Sequence, residues 1–113
     1  MSDQSAVGQF IDVASAARRP RPRDELAAYG IVRRLRGATV LDIGTGDGRL
    51  AFGAASAGAA LVVGIDPDPS ALRAARRNAR ALALRNVSFR TGAAQDLPVP
   101  RGRFDIAILS WAL

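Results

Sequence analysis

Two acids and three glycines are the residues whose types and spacing fit a chemical task. Gly44, Gly46 and Gly48 stand at alternate positions, with Asp42 just before them and Asp66 22 residues after Gly44. A backbone that turns through alternate glycines uses angles that only glycine adopts cheaply. Their missing side chains let a ligand lie against the backbone, near the N–H groups of a following helix. A carboxylate placed like Asp66 accepts the hydroxyls of a ribose, while its competing role is to cap a helix. Together these residues suit a nucleotide-like ligand.

Other chemistries fall away on composition. The chain has no cysteine and no histidine. Within these residues that removes disulfides, thiolate metal sites, thiol nucleophiles, Ser-His triads and imidazole acid–base catalysis. No metal-ligating cluster is expected, and no residue stands out as a catalytic base. The net charge of +6 comes from arginine alone. Such one-sided usage points to biased composition more than to a polyanion, so nucleic acid is not the expected partner. No apolar run approaches the ~20 residues needed to span a bilayer, and Met1-Ser2-Asp3-Gln4 does not open a signal peptide. The expected location is the cytoplasm.

The glycines need a strand before them and a helix after them. Thr39 to Ile43 is a β-branched and aliphatic run, interrupted by Asp42, that reads as a central parallel strand. Asp47 to Ala57 reads as a helix whose face of small residues (Ala51, Ala54, Ala55), with Leu50 and Phe52, suits close packing on a sheet, and Gly58 stops it. Leu61 to Ile65 forms the next strand and ends on Asp66. Asp68-Pro69 then supplies an N-cap and a first-turn proline for a helix carrying Leu72, Ala75, Ala79 and Leu82. Arg73, Arg76, Arg77 and Arg80 form a second stripe on that helix, read as a solvated face.

Val87 to Thr91 alternates apolar and polar residues, as an outer strand does, and Phe104 to Leu109 reads as a fourth strand. Upstream, residues 1–17 read as weakly helical. Arg18 to Arg23, with Pro20 and Pro22, reads as a stiff basic connector. A helix is expected from Asp24-Glu25 through Leu26, Tyr29, Val32 and Leu35, with Gly37 as its C-cap. The chain divides into a helical cap and linker over residues 1–36 and an α/β domain over 37–113. The β-α-β-α-β-β order favours a parallel sheet with right-handed crossovers.

The glycine spacing separates two ligands. A dinucleotide fingerprint, G-x-G-x-x-G, needs its third glycine at position 49, where Arg49 stands. Asp-x-Gly-x-Gly-x-Gly over Asp42 to Gly48 resembles the first motif of the class I S-adenosylmethionine (SAM) methyltransferases. Gly92 to Pro100 and Phe104 to Ser110 resemble the third and fourth motifs, with Asp66 as the second. The resemblance covers roughly residues 37–113 and is nearest to the ubiquinone/menaquinone C-methyltransferase-like group.

It implies a Rossmann-like, three-layer α-β-α fold and SAM as cofactor, with transfer of the sulfonium methyl to a small-molecule acceptor. Gly44, Thr45 and Gly46, together with Gly48, would receive the methionine end, and Asp42 would hold its ammonium through water. Asp66 would take the ribose hydroxyls, and Pro67 would offer a flat surface to the purine. Ala93 and Ala94 would meet the adenine edge, and Ser110 would lie near the methionine group. Gln95 or Asp96 would stand in for the aspartate that the family often carries where this chain has Ala93. The family's sheet has seven strands and this chain supplies four, so an N-terminal fragment is expected, with an uncovered edge on the fourth strand open to self-association. Two other readings are an NAD(P)-binding Rossmann half and a non-enzymatic basic module that binds nucleic acid or a protein.

Overall fold

Aliphatic and β-branched runs form a wholly parallel sheet in the computed structural model, which describes residues 10–12, 32–97 and 102–109. Its elements are β1 (Phe10–Asp12), α1 (Val32–Leu35), β2 (Thr39–Ile43), α2 (Arg49–Ser56), β3 (Leu61–Asp66), α3 (Pro69–Ala81), β4 (Val87–Thr91) and β5 (Ile106–Leu109). The strands lie in the order β1-β5-β2-β3-β4, and every neighbouring pair is parallel. The chain leaves β2 toward β3 and β4, then returns to place β5 on the other side of β2. That reversal puts a crevice at the carboxyl end of β2, where open α/β sheets bind ligands.

Alternation along the strands divides the core in two. Val40, Val62, Phe89, Ile106 and Ile108 face the helices and pack with Leu50, Ala54, Leu72 and Ala75. Leu72 is wholly buried, which contributes on the order of 2 kcal/mol. On the opposite face, Leu41, Ile43, Val63, Ile65 and Ala107 gather with Phe104, and Ala94 and Leu97 pack against them. Among the described residues, this second cluster draws no side chain from a helix. The fold is the expected Rossmann-like α/β arrangement, with helices on one face described.

Several expectations hold in detail. Asp68 caps α3 by accepting the Ser70 amide at 2.9 Å, and Pro69 is the first residue of the helix. Gly37, at φ +74°, follows α1 as a C-terminal glycine should. Asp105 looks out of place beside an apolar strand. Its carboxylate accepts the Thr39 amide at 2.9 Å, and its own amide donates to the Thr39 carbonyl at 2.9 Å, fixing β5 to β2 at their starts.

Other expectations change. Residues 10–12, read as weakly helical, are a strand: Phe10, Ile11 and Asp12 pair in register with Ala107, Ile108 and Leu109. The outer edge of the fourth predicted strand is therefore covered by β1, which removes the open edge expected there. The helix after the glycine turn starts at Arg49 rather than Asp47, because the turn continues through Gly48. The last strand starts at Ile106 rather than Phe104. The basic connector at residues 18–23, the helix start at Asp24-Glu25 and Tyr29 lie outside the described residues. Among those described, no helix is long and apolar enough to cross a membrane.

Candidate cofactor site

Gly44, Gly46 and Gly48 all adopt positive φ, at 77°, 58° and 93°. That is why glycine occupies each position, and it lets the chain double back over the end of β2 before α2 begins. The turn is tied to the neighbouring strand through its own amides. Gly44 and Thr45 both donate to the Ile65 carbonyl, at 2.8 and 2.9 Å. Gly46 donates to the Asp66 carboxylate at 2.9 Å, and Gly48 donates to the Thr45 carbonyl at 2.9 Å.

Asp66 therefore works within the protein before any ligand arrives. Its second carboxylate oxygen accepts the Asp68 amide at 2.9 Å. A carboxylate oxygen offers two acceptor positions, so each oxygen keeps one for an incoming donor. Directly above the turn there is room. A Cβ placed on Gly46 would meet nothing within 4 Å. This open cradle beside a carboxylate suits a ligand that brings hydroxyls and a positive charge.

Beneath the turn, Asp42 is wholly buried, and Thr45 Oγ1 donates to it at 2.7 Å. A buried carboxylate needs such bonds, because burying an unpaired charge is costly. Asp42 lies in one row across the sheet with Ile108, Gly64 and, beyond Gly64, Phe89. Asp68, at the start of α3, is exposed. Its carboxyl lies below the ordinary value because the Ser70 hydroxyl, and then the Ser70 amide, donate to the charged form.

The stretch after β4 hangs beside the same strand end. The Gly92 amide donates to the Asp66 carbonyl at 3.1 Å. Ala93 and Asp96 then form an isolated antiparallel bridge, closed by the Asp96 amide on the Ala93 carbonyl at 3.0 Å. Ala93 and Ala94 are half-buried, whereas Asp96 and Pro67 are exposed. Asp42, Gly44, Thr45, Gly46, Gly48 and Asp66 thus form one bonded cluster, and Ala93 is tethered beside it. Ser110 lies outside the described residues. Sequence alone gives Gly64, Phe52 and Phe89 no part in the site beyond packing, yet they support the cluster from below. Gly64, a glycine inside a strand, was the available signal.

Comparison with known proteins identifies the family. A profile described as a methyltransferase domain matches residues 35–113. The ribosomal protein L11 methyltransferase of Sodalis glossinidius is 56% identical over 46 residues, which make up 41% of this chain and 16% of that protein. The YcgJ protein of Bacillus subtilis superposes with a TM-score of 0.64 at 31% identity, over 72% of this chain and 36% of that one. The Trypanosoma brucei PRMT1 enzyme-prozyme complex with AdoHcy gives 0.63 at 35% identity, over 79% of this chain and 28% of that one. The chain spans well under half the length of the relatives it matches. The profile covers most of the chain and takes in the glycine turn, Asp66 and strands β2 to β5 that carry them: the chain belongs to the methyltransferase-domain family.

Proposed function

We propose that this chain carries the SAM-binding part of a SAM-dependent methyltransferase. One observation carries the reading: the Gly46 amide is held by the Asp66 carboxylate at 2.9 Å beneath an open cradle. A pyrophosphate would need that amide as a donor and would meet a carboxylate instead. A cationic ligand with ribose hydroxyls meets acceptors. Arg49 at the third fingerprint position disfavours an NAD(P)-binding half, whose ribose would use an acid placed like Asp66 equally well.

In this reading Gly44, Thr45, Gly46 and Gly48 form the bed for the methionine end, and Asp42, wholly buried and bonded by Thr45 Oγ1, fixes the bed from below rather than holding the ammonium through water as expected. Asp66 accepts the ribose hydroxyls on its remaining acceptor positions. Pro67 and the backbone of Ala93 and Ala94 flank the adenine, with Asp96 and Ser110 at the edges of the site. When bound, SAM supplies an activated methyl group. The part played by these residues is to bind and orient, which is a large share of catalysis for a donor already activated. The finer kinship with the ubiquinone/menaquinone C-methyltransferases rests on residues 92–110.

A small molecule in the cytoplasm is the acceptor that the sequence suggested. A protein acceptor is the second reading, favoured by matched relatives that are named ribosomal protein L11 methyltransferases. Calorimetric titration with SAM, S-adenosylhomocysteine and NADH tests the cofactor. Binding of the first two without NADH is expected, and NADH binding alone would overturn the reading. Tritiated methyl transfer to ribosomal protein L11 and to a small-molecule panel would separate the acceptors.

A further inference from the structure

We infer that Phe52 is a positioning residue for the cofactor turn: its ring, braced by Phe89, sets the place of Gly48 and so of the backbone that meets the ligand. The inference rests on the SAM-site reading above and adds a determinant outside the site itself.

Phe52 meets Gly48 twice. Its amide donates to the Gly48 carbonyl at 2.8 Å. Its ring tip also faces the same residue, so that a Cβ on Gly48 would stand 2.6 Å from Cζ and about 3 Å from both Cε atoms. Gly48, at φ +93° and bonded through its amide to the Thr45 carbonyl, is the last residue of the turn. The place of the ring therefore fixes how far the turn folds down toward α2.

The ring is itself held. Phe89 on β4 packs edge-on against it, with centroids 6.0 Å apart and planes at 82°. Phe89 fits there because Gly64 has no side chain: a Cβ at Gly64 would lie 2.7 Å from the Phe89 ring. The same Cβ would lie 2.7 Å from Thr45 Oγ1, the atom that donates to Asp42. One missing methyl thus admits both the brace and the hydroxyl that anchors the turn from below. Phe52 also lines a groove of about 330 Å³ shared with Asp47, Arg49 and Leu82. An unbraced ring has room to swing there, and packed rings pass such shifts to their neighbours.

The test compares Phe52→Leu and Phe52→Met with Leu72→Val, a change in the same core but on α3. Full-length variants are titrated with S-adenosylhomocysteine. Phe52→Leu and Phe52→Met are expected to raise Kd about tenfold, since small misplacements of a binding group are costly, while Leu72→Val leaves it unchanged. Gly48→Ala is expected to cost less affinity in the Phe52→Leu background than alone, because the clash with the ring is gone. Nitrogen–proton spectra of the free protein give a second readout: the Gly44, Gly46 and Gly48 amide signals should move in the Phe52 variants and not in Leu72→Val. Unmoved glycine signals, or unchanged affinity with an additive cycle, would overturn the inference. Failure of the unmodified chain to bind would sink the SAM reading, and the ligand-free spectra would still decide whether Phe52 sets the turn.

Discussion

The Gly46 amide and the Asp66 carboxylate meet at 2.9 Å across 20 residues of sequence, binding the glycine turn to the tip of the adjacent strand. One side chain thus shapes the cradle and lines it. Asp66→Ala should abolish measurable SAM binding. In the proposed site it would remove two charge-assisted bonds to the ligand, on the order of 2–4 kcal/mol, and it releases the Gly46 and Asp68 amides. Calorimetry on a folded variant checks this, and unchanged affinity would take Asp66 out of the site.

Gly46 has positive φ with empty space where a Cβ would go. Gly46→Ala should cost about 1 kcal/mol of stability through backbone strain. Gly46→Val should weaken SAM binding more than Gly46→Ala, because its branched side chain fills the cradle. Equal affinities in folded variants would mean that this glycine serves the turn alone.

Gly64→Ala should destabilise the protein by about 1–3 kcal/mol as an overpacking change. The added methyl would press on Phe89 and on Thr45 Oγ1 at once. Phe89→Leu should recover part of the loss, which urea unfolding of the single and double variants would show as a non-additive cycle.

The N-cap at Asp68 gives a pH dependence. Its carboxyl is lowered first by the Ser70 hydroxyl and then by the Ser70 amide. The folded state therefore favours the charged form. The stabilisation is fully present above the ordinary carboxyl value and is lost as pH falls through the depressed one. Melting temperatures of the unmodified protein and Asp68→Ala should differ at neutral pH and converge in strong acid. A difference that persists unchanged into strong acid would show that the cap acts without its charge.

Covering the outer edge of β5 with β1 should keep the chain from pairing with itself there. Removing residues 1–12 should raise the sedimentation coefficient through strand-to-strand association. An unchanged monomeric profile would show that the edge is protected some other way.

Most of the candidate cluster was legible because its signals are local. Alternate glycines demand positive φ, Asp68-Pro69 announces a helix start, and a terminal acid on a strand reads as a ligand acceptor. The misreadings have non-local causes. Phe10, Ile11 and Ala14 repeat at helical spacing, yet a three-residue stretch takes its structure from its partner, and that partner lies at Ala107 to Leu109. The bond from Gly46 to Asp66 was equally hidden, since only the parallel pairing of β2 and β3 brings the two together. Phe52 and Phe89 looked like ordinary core residues, and their role depends on what Gly48 and Gly64 lack.

The pairing of β1 with β5 also bears on how the molecule is made. Phe10 leaves the ribosome well before its partner Ala107. The β2-β3-β4 unit, with α2 and α3 packed on it, has neighbours close enough in sequence to assemble during synthesis. The first strand must wait for the whole of that unit, and for β5, before it has anything to pair with. Contacts of such long range form slowly. The strand made before the others described is therefore among the last to find its place, and an apolar Phe10-Ile11 pair is left for chaperones to shield until then.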